Sequence, residues 1–315
     1  MRLLSFAILA LGILGAAPAP AHQDPEFSGF VAVPGGEVWY RLNGRQFLGH
    51  KAAIIAIHGG PGGTHRRLMP LVALADERPV ILYDQLGTGN STRTGPEYWT
   101  VPRFVAEIDA LRRQLHLQQV VVLGHSWGGA LAAEYGVQNP AGLQALILSS
   151  PLISTAQWVS DTTRLVDTLP PRARDTIRRH IAVRTFSGPE YREAEAVFNS
   201  RYLCRTTPCG GEKYRVDGPA GNDAVYDYLW GENEFHASGK LKNYDISPRL
   251  GQIRVPTLMI CGEFDEATPA TCRKYAGMIA GSSTFIIPGA AHMTMVENEA
   301  AYVQTVRQFL RAAGL

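Results

Sequence analysis

The sequence predicts an α/β fold: a mostly parallel, doubly wound sheet whose chain is interrupted by a helical insertion. Three observations carry this. Short, uninterrupted apolar runs recur at residues 53–57, 80–83 and 120–123, and residues 143–148 supply a further strand broken only by Gln144, as strands buried on both faces of a parallel sheet require. Helical periodicity fills the gaps between them, and alternation of the two kinds of segment argues for right-handed βαβ crossovers. The rhythm stops at about residue 154 and resumes at about 248.

Before the first buried run, Phe30-Val31-Ala32-Val33 and Glu37-Val38-Trp39-Tyr40-Arg41-Leu42 flank Pro34-Gly35-Gly36, which reads as a β-hairpin. The run at 53–57 ends in His58-Gly59-Gly60-Pro61-Gly62-Gly63, and the run at 80–83 leads into Asp84-Gln85-Leu86-Gly87-Thr88-Gly89-Asn90-Ser91. Val101, Phe104, Val105, Ile108, Leu111 and Leu115 then recur at helical spacing, predicting an amphipathic helix. After the insertion, residues 255–261 form the next strand, a helix follows near 269–280, residues 284–287 supply the last strand, and Val303, Val306, Phe309 and Leu310 mark a closing helix. The catalytic domain is thus expected at 22–153 and 248–315, split by a helical cap at 154–247, a stretch too long and too aromatic to be a bare loop.

At the N-terminus Arg2 precedes an apolar segment over residues 3–17, followed by Ala19-Pro20-Ala21. The segment is shorter than the roughly 20 residues of a spanning helix, and small residues follow it, as in a secretory signal peptide. Residues 1–21 are therefore read as a signal peptide, and the mature protein as exported, periplasmic or secreted, without stable membrane association. Export permits disulfides, and the four cysteines fall into two close pairs, Cys204 with Cys209 and Cys261 with Cys272. Both pairs are expected to be bonded; a free buried thiol is the alternative for Cys261, which ends an apolar strand. No metal-ligand spacing accompanies them. A net charge of +2 without runs of like charge gives no footprint for nucleic acid.

The run at 120–123 stops at Gly124-His125-Ser126-Trp127-Gly128-Gly129. A serine between glycines, after a buried strand and before a helix, describes a strained elbow that presents a nucleophile. Serine needs a base, and the base an orienting acid, in the chain order Ser, acid, His on loops after later strands. Asp265 in the loop after residues 255–261 is the expected acid, with Glu263 the alternative; His292, after residues 284–287, is the expected base. His125 is expected to point elsewhere on the elbow. The oxyanion needs two backbone N–H donors, assigned to Trp127 and to Gly60 of the glycine-rich loop. That loop has neither Gly-Lys-Ser/Thr nor G-x-G-x-x-G, so no nucleotide cofactor is expected.

His58-Gly59-Gly60-Pro61-Gly62, Asp84-Gln85 with Gly87, Gly89 and Ser91, and Gly124-His125-Ser126-Trp127-Gly128-Gly129 together resemble the proline iminopeptidase branch of the α/β-hydrolases. The resemblance spans roughly residues 28–150 and 251–315 and weakens across the cap. It implies an α/β-hydrolase fold and a serine peptidase that releases an N-terminal residue, proline or a broader set, from short peptides through an acyl-enzyme. It also implies acidic residues that hold the free substrate amine. Glu234 and Glu266 are similar to those acids, with Glu232 the nearby alternative. A protonated amine in a partly closed site needs such a partner, because an unpaired buried charge is costly. The leader and the cysteine pairs depart from cytoplasmic members of the family. Amidase, esterase or lactonase chemistry is the rival on the same scaffold, and a non-catalytic ligand-binding protein is the more distant one.

Overall fold

The computed structural model describes residues 24–209 and 219–315; the expected signal peptide lies outside them. Eight strands form one sheet: β1 (Phe27–Val33), β2 (Gly36–Asn43), β3 (Ala53–Ile57), β4 (Val80–Tyr83), β5 (Val120–His125), β6 (Leu143–Ser149), β7 (Thr257–Gly262) and β8 (Ser282–Ile287). Their order is β1-β2-β4-β3-β5-β6-β7-β8. The β1–β2 hairpin joins the sheet antiparallel to β4, and all later pairings are parallel. In β3, β4, β5 and β7 every residue is buried, which is why they read as continuous apolar runs rather than as alternation. Strand β8, at the sheet edge, is half-exposed along its length.

Successive residues of a strand point to opposite faces, and here they build two cores. Ile55, Ile57, Val120 and Val122 pack with residues of α1 (Val101–Gln114) and α2 (Trp127–Gly136). Ile54, Ala56, Val121 and Leu123 face the other way, toward a series of 3-10 turns over His65–Asp76 and toward the closing helix. The sequence pattern did not predict those turns; Pro70 within them lacks the N–H that a regular helix would use.

Between β6 and β7 the described residues carry four helices, α3 (Thr155–Val166), α4 (Pro171–Val183), α5 (Pro189–Tyr202) and α6 (Asp223–Leu229). They have a core of their own, in which Phe198 meets Phe235 edge-on at 4.8 Å, beside Ile177 and Tyr191. Truncating a side chain as buried as Phe198 to alanine costs about 3–5 kcal/mol. After β7 come α7 (Pro269–Ala276), α8 (Thr294–Glu297) and α9 (Glu299–Ala312).

Cys204 and Cys209 are disulfide-bonded. The bond expected between Cys261 and Cys272 is not formed; both are free buried thiols. They sit in the larger apolar core, where a thiol packs as a small hydrophobe. The Cys272 thiol donates to the Ala267 carbonyl at 3.3 Å, and its hydrogen bonding with Cys261, together with burial, raises its pKa well above the ordinary value. Among the described residues no helix is long and apolar enough to cross a membrane.

Candidate active site

The carboxyl ends of the parallel strands converge on one cavity of about 340 Å³, lined by Ser126, His292, Glu234, Glu266, Gly59 and Gly60 among others. Its centre is the turn from β5 into α2. Ser126 has φ 56° and ψ −119°, a conformation that strains any residue with a Cβ. Two glycines make the turn possible. A Cβ on Gly124 would lie 2.0 Å from the Gly128 carbonyl oxygen, and one on Gly128 would lie 2.1 Å from the Ile57 carbonyl oxygen. The Ser126 N–H donates to the Ser149 carbonyl at 2.9 Å, which ties the elbow to β6.

The loops after β7 and β8 meet beside it. His292 Nδ1 lies 2.9 Å from Asp265 Oδ1, and both side chains are buried. Asp265 is held by three further donors: the Ala267 N–H to Oδ1 at 2.8 Å, and the Gly262 N–H and Ser150 hydroxyl to Oδ2 at 3.0 and 2.6 Å. Such a carboxylate is fixed in place, the condition for orienting an imidazole. Glu263 is exposed and accepts instead from the Gly289 N–H. Ser150 was not anticipated; its only mark in the sequence is its place just past a strand end.

Helix α2 begins at Trp127, so the Trp127 N–H belongs to a first turn, where donors lack intrahelical partners. Gly59 and Gly60 border the cavity from the other side. A Cβ on Gly59 would come within 2.9 Å of Ser126 Cβ, and Gly60 has φ +121°, so both positions demand glycine. Gln85 connects the two arms: its side chain donates to the His58 carbonyl at 2.9 Å and accepts from the Trp127 indole at 2.9 Å. The Gln85 N–H donates to His58 Nε2 at 3.0 Å. His58 therefore carries its proton on Nδ1, 2.9 Å from the Gly59 carbonyl, and burial pulls its pKa down to about 4. Beneath it, burial acts to raise the Asp84 pKa, but the His65 hydrogen bond and the His65 and His58 charges outweigh this and hold it low. His125, expected to point elsewhere on the elbow, has its Nε2 3.0 Å from the His292 carbonyl and its ring 4.7 Å from that of His292, and it borders the cavity.

The cap closes the site. The Tyr202 carbonyl accepts from the N–H groups of both His292 and Glu266, and the Leu203 carbonyl from that of Met293, so the end of α5 braces both catalytic-side loops. Trp158 of α3 stands edge-on to the His292 ring at 5.5 Å.

A profile of the α/β hydrolase fold matches residues 52–299. The proline iminopeptidase of Heyndrickxia coagulans is 37% identical over 287 residues, covering 90% of this chain and 98% of that protein. The chain belongs to the proline iminopeptidase family. The crystal structure of the Mycobacterium smegmatis proline iminopeptidase shares 34% identity and a TM-score of 0.81, covering 91% of this chain and 98% of that one. VinJ shares 31% identity and a TM-score of 0.83, covering 92% and 100%.

In this member of the family the two acids expected to hold an amine both reach the cavity, whereas Glu232 is exposed and does not line it. Glu234 Oε1 accepts from the Trp158 indole at 2.5 Å and Oε2 from the Tyr226 hydroxyl at 2.8 Å. Trp158 and Tyr226 escaped the sequence reading because they come from two separate cap helices. Glu266 is buried, and its Oε2 has no hydrogen-bond partner among the described residues. Burial, then the charges of Glu234 and Asp265, push its pKa well above the ordinary carboxylate value. Two carboxylates facing one small cavity, one of them unsatisfied, form a receptor for a cation.

Proposed function

We propose that the protein is a serine aminopeptidase that releases an N-terminal residue, proline foremost, from short peptides with a free amine. One observation carries the reading: Glu266, whose Oε2 has no hydrogen-bond partner among the described residues, lines the same cavity as Glu234 and Ser126. A neutral ester or lactone offers Glu266 no charge partner and leaves it protonated, whereas an ammonium group pairs with its ionised form.

In the mechanism Glu234 and Glu266 bind the ammonium group and set the first carbonyl against Ser126. Ser126 Oγ attacks the carbonyl carbon while His292 Nε2 takes its proton, and Asp265 holds the imidazolium. The Gly60 and Trp127 N–H groups receive the oxyanion. As the tetrahedral intermediate collapses, the C–N bond breaks and His292 gives its proton to the leaving amine. Water, deprotonated by His292, then attacks the acyl-enzyme, and release of the amino acid returns the proton to Ser126.

The test compares prolyl, alanyl and leucyl arylamides with their N-blocked counterparts and with simple esters. Cleavage confined to free-amine substrates, with prolyl fastest, is expected; equal cleavage of blocked substrates or plain esters refutes the reading. We further propose that the chain is exported with cleavage after Ala21. The Cys204–Cys209 disulfide suits an oxidising compartment. N-terminal sequencing of the protein from the producing cells should begin at His22, and a cytoplasmic protein starting at Met1 refutes it.

A further inference from the structure

Arg67 is a cation in the wall of the catalytic cavity that the proposed mechanism does not use. It belongs to the turns that follow the glycine-rich loop, lines the cavity with Gly63 and Thr64, and is exposed. Among the described residues its one hydrogen bond runs from Nη1 to Cys209 Sγ of the disulfide, 3.6 Å away. Sulfur is a weak acceptor, so this contact steers the guanidinium without neutralising it. No described carboxylate pairs with Arg67 within ion-pair distance. Protein crowding around the side chain lowers its pKa with no acid to offset the effect. Its charge is felt at His125, next to the nucleophile, while the acids acting on Glu266 are Glu234 and Asp265. The cavity therefore presents an acid pair and, separately, a guanidinium that no described carboxylate neutralises.

A free dipeptide is a zwitterion, with an ammonium group at one end and a carboxylate one residue beyond the scissile bond. An extended residue spans roughly 3.5 Å, and a volume of about 340 Å³ lies at the small end of the range for ligand sites, about 300–1,000 Å³. With the amine at Glu234 and Glu266 and the carbonyl at Ser126, little of the cavity remains beyond the leaving residue. We propose that Arg67 is a carboxylate subsite that selects dipeptides by binding the C-terminal carboxylate of the leaving amino acid. In a longer peptide that position holds a neutral amide, which cannot use the charge-assisted, two-pronged contact a guanidinium offers. This inference rests on the aminopeptidase reading, since the acid pair must seat the amine for the carboxylate to face Arg67.

The test measures kcat/KM for Pro-Gly as the free acid and as its C-terminal amide, with a prolyl arylamide alongside, for the wild type, Arg67→Met and Arg67→Lys. The ratio of acid to amide is expected to fall about tenfold or more in Arg67→Met, with Arg67→Lys between that variant and the wild type. The loss should be carried by KM on the acid. An unchanged ratio, including the case in which both rates fall together or vanish, overturns the carboxylate subsite. If the wild type cleaves no prolyl arylamide, the aminopeptidase reading itself fails and the subsite with it; arylamide turnover with an unchanged ratio removes the subsite alone.

Discussion

Glu266 Oε1 lies 3.9 Å from His292 Nε2, the nitrogen that takes the serine's proton in the proposed mechanism. An acid so close to the base, buried and facing Glu234, is poorly placed for stability and well placed for an ammonium ligand. Its pKa is raised in the folded protein, so folding favours the protonated form. The sign follows: as pH rises from the ordinary carboxylate range through the raised value, ionised Glu266 costs folding free energy. Glu266→Gln should therefore raise Tm at pH 8, by about 1–3 kcal/mol in stability, and the gain should shrink toward zero by pH 4 to 5. The same variant should lose about 100-fold in kcat/KM on free-amine substrates, chiefly through KM. Thermal unfolding at the two pH values checks the first part; a variant less stable than the wild type at pH 8 would count against a strained, waiting carboxylate.

Ser126, the proposed nucleophile, has a backbone conformation that only glycine adopts without strain. Ser126→Ala and Ser126→Gly should both lose at least about 10⁴-fold in kcat. The glycine variant should also be more stable than the alanine variant by about 1 kcal/mol, because it relieves the positive φ. Urea unfolding of the pair measures this, and equal midpoints would show that the elbow carries no strain.

The elbow, the acid and the base were legible because each stands where an apolar run ends, and a run buried on both faces leaves an unmistakable pattern. The acid pair was legible only through family resemblance, since an isolated Glu234 in a helical cap looks like any solvated acid. What anchors the site was not legible at all. Ser150, Trp158, Tyr226 and Tyr202 reach it from β6, α3, α6 and α5, and contacts between segments so distant in the chain leave no local spacing to read. The Cys261–Cys272 expectation failed for a related reason: closeness in sequence mimicked a bonded pair, while the apolar core had a use for two separate thiols.

The Ser150 hydroxyl donates to Asp265 Oδ2 at 2.6 Å, on the oxygen that does not face His292. As a positioning residue it should act through the acid. Ser150→Ala is expected to lower kcat about tenfold with KM little changed, because an acid with one donor fewer holds the imidazole less firmly. Asp265→Asn, which cannot hold the ring in the same tautomer, should cost about 10⁴-fold. A loss in Ser150→Ala confined to KM would place the serine outside the triad's support.

The His58 ring is predicted to stay neutral in the folded protein down to about pH 4. Protonating Nε2 would set its N–H against the Gln85 N–H that now donates to it. The unfolded chain binds that proton near pH 6.5, so the contribution of His58 to stability is complete above about 6.5 and is lost as pH falls toward 4. At 1.36 kcal/mol per unit, the loss approaches about 3 kcal/mol. His58→Gln, which cannot titrate, should be less stable than the wild type at pH 7.5 and should close much of that gap by pH 4.5. NMR of the imidazole gives the direct check: a His58 signal titrating near 6.5 would contradict the burial argument.

Glu234 owes its placement to two donors on different cap helices, the Trp158 indole on Oε1 and the Tyr226 hydroxyl on Oε2. Through that carboxylate each should affect amine binding. Trp158→Phe and Tyr226→Phe remove one donor apiece, the second with little change in volume, and each is expected to raise KM for prolyl arylamide about tenfold, the scale of a hydrogen bond to a charged group. Because both act on one carboxylate, the double variant should lose less than the product of the single losses: once Glu234 is free to turn, its second anchor matters less. Trp158 also packs against His292, so its variant should lower kcat as well, whereas that of Tyr226 should not. Strict multiplication in the double variant, or a kcat loss in Tyr226→Phe equal to its loss in affinity, would mean that the two donors do not share Glu234 as their common target.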